Sequence, residues 1–489
     1  MHPLFLHLVI ERSAPEPVYV QLANQIMRLL SEGSLQAGQQ LPSTRLLAES
    51  LQIHRKTVIR AYDELLAQGW LESHSGSGTF AAEHLPGAQP QKLGRAVKTD
   101  PAQKAGFSFT PLPHLGLGFQ KNRCTYHLDD GYPDPRLAPL ADLSRAYRSQ
   151  LLVGDRYRKL GYGDPKGSVW LRENLASYLT ETRGLSITAD NILITRGTVM
   201  GVYLAGAGLI QPGDQVITGE SGWSAADATF IQSGAKITHI PVDQYGIQVD
   251  QIESICQKSA VRLVYITSHH HYPTTVALRA DRRIQLLRLA EKYGFIIFED
   301  DYDYDFHYDN KPLLPLANAD QSGMVLYCGS FTKTISPAFR VGYLVGSADV
   351  ISHLAKLRRI IDRQGDTMLE NAIAELLQNG IIQRHLRKSL RVYRQRRDLL
   401  CSLLKDQLAD YTSFEVPDGG MAVWTNFDAS INLSVLAEKA LKKDLYFAGG
   451  IPHRAPAAPW NATRLGFASS SESELVRSVG ILTELIKKF

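Results

Sequence analysis

The densest chemistry in this 489-residue chain lies in Ser330-Phe331-Thr332-Lys333-Thr334, directly after the strand-like run Val325-Leu326-Tyr327-Cys328. A lysine at a strand end, among small hydroxyl residues, can form a Schiff base with an aldehyde once its surroundings lower its pKa. Arg340, a short step further on, brings a planar fork of donors suited to phosphate. Upstream, Glu299-Asp300-Asp301-Tyr302 follows the apolar run Phe295-Ile296-Ile297-Phe298. An acid at a strand end can keep a pyridinium nitrogen protonated, and a neighbouring phenol can hydrogen-bond a ring oxygen. Pyridoxal phosphate requires this pairing of lysine and acid, because its charged ring is the electron sink. Two further pieces suit the same group. Gly197-Thr198-Val199 follows the run Ile192-Leu193-Ile194-Thr195 and opens a helix reaching about Ile210, stopped by Pro212-Gly213-Asp214. The free N–H groups and dipole of such a helix start make an anion site. Trp223, after the next strand, is placed to stack on a ring face.

These residues need elements to hold them. Ile192–Thr195, Val216–Thr218, Ile237–Ile240, Leu263–Thr267, Ile296–Glu299 and Val325–Cys328 are short apolar runs of strand size, and helical patterns lie between most of them. That alternation predicts an α/β fold with a mostly parallel sheet covered by helices. Such sheets bind ligands beyond the carboxyl ends of their strands, where the residues above fall.

The first 80 or so residues have a different texture. Leu22, Ile26, Leu29 and Leu30 share one helical face, and Gly33 stands where a helix stop belongs. Ser43 can cap a short helix running to about Leu51. After a break at Gln52 to His54, Val58, Ala61, Tyr62, Leu65 and Leu66 follow helical spacing, and Gly69 ends the run. Trp70-Leu71-Glu72 and Gly78-Thr79-Phe80 read as two strands around a Ser/Gly tip. Helix, helix, turn, helix and hairpin make a winged helix-turn-helix. From Ser43 to Arg60 there are four basic residues against the single acid Glu49. Arginine and lysine supply salt-sensitive phosphate attraction, and arginine can also hold guanine bidentately.

Bulk composition sets limits. Hydrophobic residues at 44% and charged residues at 21% describe a globular chain that buries its own cores. Its four cysteines are scattered with no C-x-x-C pair, which argues against a zinc site or disulfide framework and fits a reducing cytosol. No run approaches the roughly 18 apolar residues of a membrane span, and Met1 to Arg12 lacks the basic leader of a signal peptide. A net charge of +4 says little by itself. The expected layout is a DNA-binding domain over 1–81, a Pro/Gly/Gln-rich linker over 82–120 and a ligand-binding domain over 121–489. Neighbouring side chains of His269-His270-His271 alternate faces in a strand-like run, so no metal site is assigned there. Asp300, Asp301, Asp303 and Asp305 lack the Gly and Glu of a calcium loop. Arg384 to Arg397 holds seven Lys/Arg residues and no acid, and reads as a solvated helix face.

Taken as sets, the motifs carry a family resemblance. Leu41-Pro42-Ser43-Thr44-Arg45-Leu46-Leu47-Ala48, Arg55-Lys56-Thr57-Val58, Ala61-Tyr62, Leu65, Gly69 and Gly76-Ser77-Gly78-Thr79-Phe80 resemble the GntR-type winged helix-turn-helix. The resemblance implies DNA contacts by Arg45, Arg55, Thr57 and Gly76, with Ser43 and Lys56; nothing carries over to His54 or Ile59. Asp130-Gly131-Tyr132-Pro133-Asp134, Tyr162-Gly163-Asp164-Pro165-Lys166-Gly167 with Leu171-Arg172, Glu299-Asp300-Asp301-Tyr302-Asp303, Ser330–Thr334 with Arg340, and Arg464-Leu465-Gly466-Phe467-Ala468 resemble a fold-type I aminotransferase, with a large mostly parallel domain and a small α+β domain. Together the halves resemble the MocR/GabR regulators. By that resemblance Lys333 is the Schiff-base lysine, Asp300 the pyridinium partner and Tyr302 the ring-oxygen partner. Ser330, Arg340, Gly197 and Thr198 are implied phosphate ligands, Trp223 the stacking ring, and Arg464 the receptor for an effector carboxylate. The sequence departs from the family at Thr198-Val199, where Ser-Gln is usual, and at His270-His271-Tyr272-Pro273-Thr274-Thr275. An arginine that some relatives place after Gly222-Trp223 is missing.

The implied function is a cytoplasmic, homodimeric transcriptional regulator that binds operator DNA and pyridoxal 5'-phosphate, and senses an amine, an amino-acid-like effector or the cofactor itself. The alternative is a working aminotransferase with a DNA-binding appendage.

Overall fold

The computed structural model describes residues 8–85, 104–116, 124–308, 313–450 and 461–489. Contacts divide the chain into two compact units, Met1–Thr110 and Pro111–Phe489. Much of the expected linker, 86–103 and 117–120, lies outside the described residues.

In the first unit, α1 (Val18–Ser31) buries Leu22, Ile26, Leu29 and Leu30, the face its periodicity predicts. Ser43 caps α2 (Thr44–Leu51), its hydroxyl accepting the Leu46 N–H at 3.3 Å. Gln52, at φ 50°, turns the chain sharply, and α3 (Arg55–Ala67) begins after His54. Val58, Ala61, Tyr62 and Leu65 on α3 join α1 in one core with Leu47, Trp70 and Leu71. Each such apolar side chain contributes about 1.5–3 kcal/mol on leaving water. β1 (Leu71–His74) pairs antiparallel with β2 (Gly78–Ala81), and the register from Leu71↔Ala81 to His74↔Gly78 leaves Ser75-Gly76-Ser77 as the wing tip. Both strands run slightly further than the sequence suggests, and Trp70 belongs to the core rather than to a strand.

The second unit is organised by a seven-stranded sheet. In spatial order its strands are Ile192–Thr195, Gly342–Val345, Val325–Ser330, Ile296–Asp300, Val261–Ile266, Gln215–Gly219 and Lys236–Ile240. All run parallel except Gly342–Val345, which is antiparallel to both neighbours. That strand was not apparent in the sequence. It is a four-residue run that begins on glycine and follows Arg340-Val341 directly, too short to signal its own period. Both faces of the sheet are buried. Leu193, Val216, Leu263, Phe298, Leu326 and Leu344 pack on one side; Ile194, Ile217, Val264, Ile297, Tyr327 and Tyr343 pack on the other. This two-sided burial is why the strands read as continuous apolar runs instead of alternating ones.

A 28-residue helix, Ile381–Leu408, leads into a smaller sheet of Thr412–Ser413, Ala422–Phe427 and Ala462–Gly466. The basic run on that helix is only partly a solvated face. Arg384, Arg387, Lys388, Arg391 and Arg394 are exposed, but Arg396 is buried with its guanidinium 2.9 Å from Asp134, and Arg397 donates to the Pro417 carbonyl at 2.8 Å. No helix among the described residues is long and apolar enough to cross a membrane.

Candidate functional site

Strand register brings the chemistry-bearing residues together. Asp300 pairs with Cys328, Ser330 pairs with Gly342, and Gly342 pairs with Thr195. The ends of the strands carrying Asp300, Ser330 and Thr195 therefore meet at one edge, joined there by the start of the strand that follows Arg340. Gly197 stands at φ 76° as the cap of the helix Thr198–Leu209. A Cβ on Gly197 would come within 2.8 Å of the Arg340 guanidinium, and a Cβ on Gly342 within 2.8 Å of the Gly197 backbone. These glycines allow the guanidinium and the helix start to close on one point. Arg340 itself adopts φ 52° and donates to the Arg196 carbonyl at 3.0 Å. The Ser330 hydroxyl accepts the Thr332 N–H at 3.3 Å, Thr198 opens the helix, and Trp223 caps the next helix, Ser224–Gln232.

Asp300 is buried. Its Oδ2 accepts the Tyr265 hydroxyl at 2.8 Å, and its Oδ1 is enclosed with no partner among the described residues. Burial raises its pKa to about 7; Tyr265 opposes the rise, while Asp301 and Asp303 add to it. A carboxylate in that condition lacks a positive partner. Lys333 points its amine at the Gly131 carbonyl, 2.6 Å away, over the Tyr132 ring. Burial lowers its pKa; Asp130 works against that shift and Arg464 assists it. The Tyr302 hydroxyl donates to the His270 carbonyl at 3.1 Å.

A strained glycine cradle beside an arginine, a buried carboxylate oxygen lacking a partner, and a lysine with a depressed pKa form one donor set. The set fits pyridoxal phosphate: Gly197, Thr198 and Arg340 could hold its phosphate, Asp300 its ring nitrogen and Lys333 its aldehyde.

Arg464 projects from the strand Ala462–Gly466, opposite Trp424 in the pairing. It is 2% exposed. Its Nε lies 2.8 Å from Asp130 Oδ1, at an angle outside hydrogen-bond geometry, and its Nη1 donates to the Pro273 carbonyl at 3.1 Å. Burial works against its charge, but Tyr302, Asp130 and Tyr272 outweigh this and hold its pKa above the ordinary value. The Tyr272 hydroxyl reaches Asp130 Oδ2 at 2.8 Å.

The histidine run forms a bend after Val261–Ile266, not the strand-like stretch expected. His269 Nδ1 meets Asp301 at 3.1 Å, His270 Nδ1 meets Asp303 at 2.8 Å, and His271 Nε2 contacts the Ser221 carbonyl at 3.0 Å. Among the described residues no group of three ligating side chains is arranged to hold a metal ion.

In the first unit, Ser43, Arg45, Arg55, Lys56 and Gly76 are exposed, and Thr57 is half-buried. Arg45 pairs with Glu49 at 3.3 Å, and Arg55 Nε donates to Thr44 Oγ1 at 3.3 Å, tying α3 to α2. Gly76 sits at φ 81° with open space where a side chain would go. His54, to which the family resemblance carried nothing, caps α3 through its Nδ1, which accepts the Lys56 N–H at 3.1 Å. Sequence reasoning passed over Tyr265, Tyr272 and the side chain of Asp130, which reach the pocket only through strand register and chain reversals.

Residues 134–481 match the aminotransferase class I and II family, and residues 18–81 match the gntR family of bacterial regulatory proteins. A probable rhizopine catabolism regulatory protein, MocR, of Rhizobium meliloti is 29% identical over 90% of this chain and 88% of its own length. The HTH-type transcriptional regulator YdfD of Bacillus subtilis is 28% identical over 96% and 97% of the two chains. Among solved structures, a Pyrococcus horikoshii kynurenine aminotransferase in complex with PMP superposes with a TM-score of 0.69 at 28% identity, covering 74% of this chain and 91% of that one.

Proposed function

The chain belongs to the aminotransferase class I and II family and carries a gntR-family domain ahead of the matched region, and from that premise we propose that it is a cytoplasmic, pyridoxal-phosphate-dependent, DNA-binding transcriptional regulator. The reading rests on one observation above others: a single chain presents both an exposed Arg55-Lys56 turn on a winged helix-turn-helix and, in its second unit, a buried Asp300, a half-buried Lys333 and an exposed Arg340 closing on Gly197. The two-domain arrangement is that of the MocR-type relatives.

When bound, pyridoxal phosphate supplies an aldehyde for amines and a ring that accepts electron density. The chain's own residues do the rest. Arg340, Gly197 and Thr198 would hold the phosphate, with Ser330 adjoining them, and Trp223 would stack on the ring. Asp300 Oδ1 would hold the ring nitrogen, and a positive partner there would return the carboxylate to its ionised form. Tyr302 would donate toward the ring oxygen. Lys333, its proton loosened by burial, would provide the amine that holds the aldehyde. An effector amine that took Lys333's place would alter how two DNA-binding heads in a homodimer are held, and operator affinity would change with it. Two copies would set two recognition helices on two half-sites.

The test is DNA binding by the full chain to fragments flanking its own gene, with and without cofactor and primary amines. Specific, salt-sensitive binding lost in Arg55→Ala, and a visible cofactor absorption lost in Lys333→Ala, are expected. Multiple-turnover transamination with no specific fragment bound would instead mark a working aminotransferase.

A further inference from the structure

The presumed carboxylate receptor is already engaged by a carboxylate from its own chain. Arg464 is buried, and Asp130 Oδ1 stands 2.8 Å from its Nε. The other Asp130 oxygen is held by the Tyr272 hydroxyl at 2.8 Å, a phenol whose pKa burial and Asp130 push far up, so it stays a donor. Gly131 closes another side, because a Cβ there would stand 3.3 Å from Arg464 Nη2. Nη1 is spent on the Pro273 carbonyl. The Asp130 side chain is 31% exposed against 2% for Arg464, so solvent and ligand meet the carboxylate before the guanidinium. Lys333 donates to the carbonyl of Gly131, the very next residue. Asp130 is also the largest charge acting on the Lys333 amine, so a ligand attached in Lys333's place would have Asp130 within reach.

We infer that Asp130 is a specificity-determining residue which supplies, from within the chain, the carboxylate that Arg464 would otherwise take from a ligand, so that the site selects a cationic amine over an amino acid. The inference rests on the reading that the Lys333 site takes an amine. Arg464 and Asp130 form a neutral pair. A second carboxylate brought to Arg464 must break that pair or leave an uncompensated buried negative charge, and both are costly. An ammonium approaching the more exposed side of Asp130 leaves the Arg464 contact in place, and its own charge stays where solvent can screen it.

The cofactor-loaded protein is titrated with 1,3-diaminopropane, propylamine and β-alanine, which share a three-carbon skeleton and differ at the far end. Half-saturation is read from the visible spectrum and by calorimetry. In the native protein the diamine should half-saturate at a concentration about tenfold or more below that of β-alanine, the scale expected for a close charge contact. Asp130→Asn should reverse that order, and Asp130→Glu should keep it. Should Asp130→Asn not fold, Tyr272→Phe, which frees one oxygen of Asp130 without removing a charge, should narrow the preference. Native preference for β-alanine, an order unchanged in Asp130→Asn, or a preference of unchanged size in Tyr272→Phe overturns the inference. So does a loaded protein that responds to none of the three amines while still binding DNA through Arg55, and in that case the regulator reading stands. A protein that takes up no cofactor sinks the regulator reading and the inference with it.

Discussion

Tyr265 and Asp300 meet across adjacent parallel strands: the phenol donates to Asp300 Oδ2 at 2.8 Å, and Oδ1 is left buried and unpartnered among the described residues. The bond fixes which oxygen remains for a ring nitrogen. Tyr265→Phe removes the one donor that favours the ionised form. Cofactor affinity should fall by about tenfold, the equivalent of one charge-assisted hydrogen bond. Titration of pyridoxal phosphate into the variant, read by its visible spectrum, measures this; unchanged affinity would show that Tyr265 only fills space.

The same carboxylate makes the cofactor-free protein sensitive to pH. Asp300 is raised to about 7 when folded, against about 3.9 when unfolded. A raised folded pKa contributes stability that is fully present below the unfolded value and is lost as the pH climbs through the folded one. Thermal melts of the cofactor-free native protein should therefore decline from about pH 4 to about pH 7 more steeply than those of Asp300→Asn. Parallel curves would mean that Asp300 is ionised throughout.

Gly197→Ala tests the cradle. A Cβ there would stand 2.8 Å from the Arg340 guanidinium, on a backbone at φ 76° that side chains rarely adopt. Cofactor affinity should drop by about tenfold or more, with a stability loss of roughly 1–2 kcal/mol from the backbone strain. An alanine variant that binds the cofactor normally would place the phosphate elsewhere.

On the DNA side, Arg55→Ala should cost about 1–3 kcal/mol in operator affinity if Arg55 reads a base, and should lower the slope of log K against log salt by about 1 if it reads a phosphate. Fluorescence anisotropy over a salt series separates the two. An effect on neither would leave Arg55 its hydrogen bond to Thr44 and nothing more.

His54→Ala removes the cap of α3. Helix caps of this kind are worth about 1 kcal/mol, so the melting of the first unit should fall by a few degrees. His54→Asn, which can accept the same N–H, should restore most of the loss.

Much of this was legible in the residues. Helical spacing marked α1 and α3, because each buries a single face, and the Ser43 cap marked α2. Six of the seven strands in the large sheet announced themselves as apolar runs, since both their faces are covered. Lys333 and Asp300 could be placed at strand ends for the same reason. The Gly342–Val345 strand was invisible because four residues starting on glycine carry no period of their own. Tyr265 looked like any apolar strand residue; only the pairing Phe298↔Tyr265 sets its hydroxyl beside Asp300. Asp130 lay inside a quoted motif, yet its role depends on Arg464, more than three hundred residues away, and no local pattern reports such a distance.

The wing is fastened to the chain that leads into α2. Gln40 bridges Phe80 along the backbone and donates its side-chain amide to the Ser77 carbonyl at 2.7 Å. Bolted in this way, the hairpin cannot shift without carrying the segment before α2 with it. A displaced wing tip therefore pulls on the residues just before Ser43, the cap of α2.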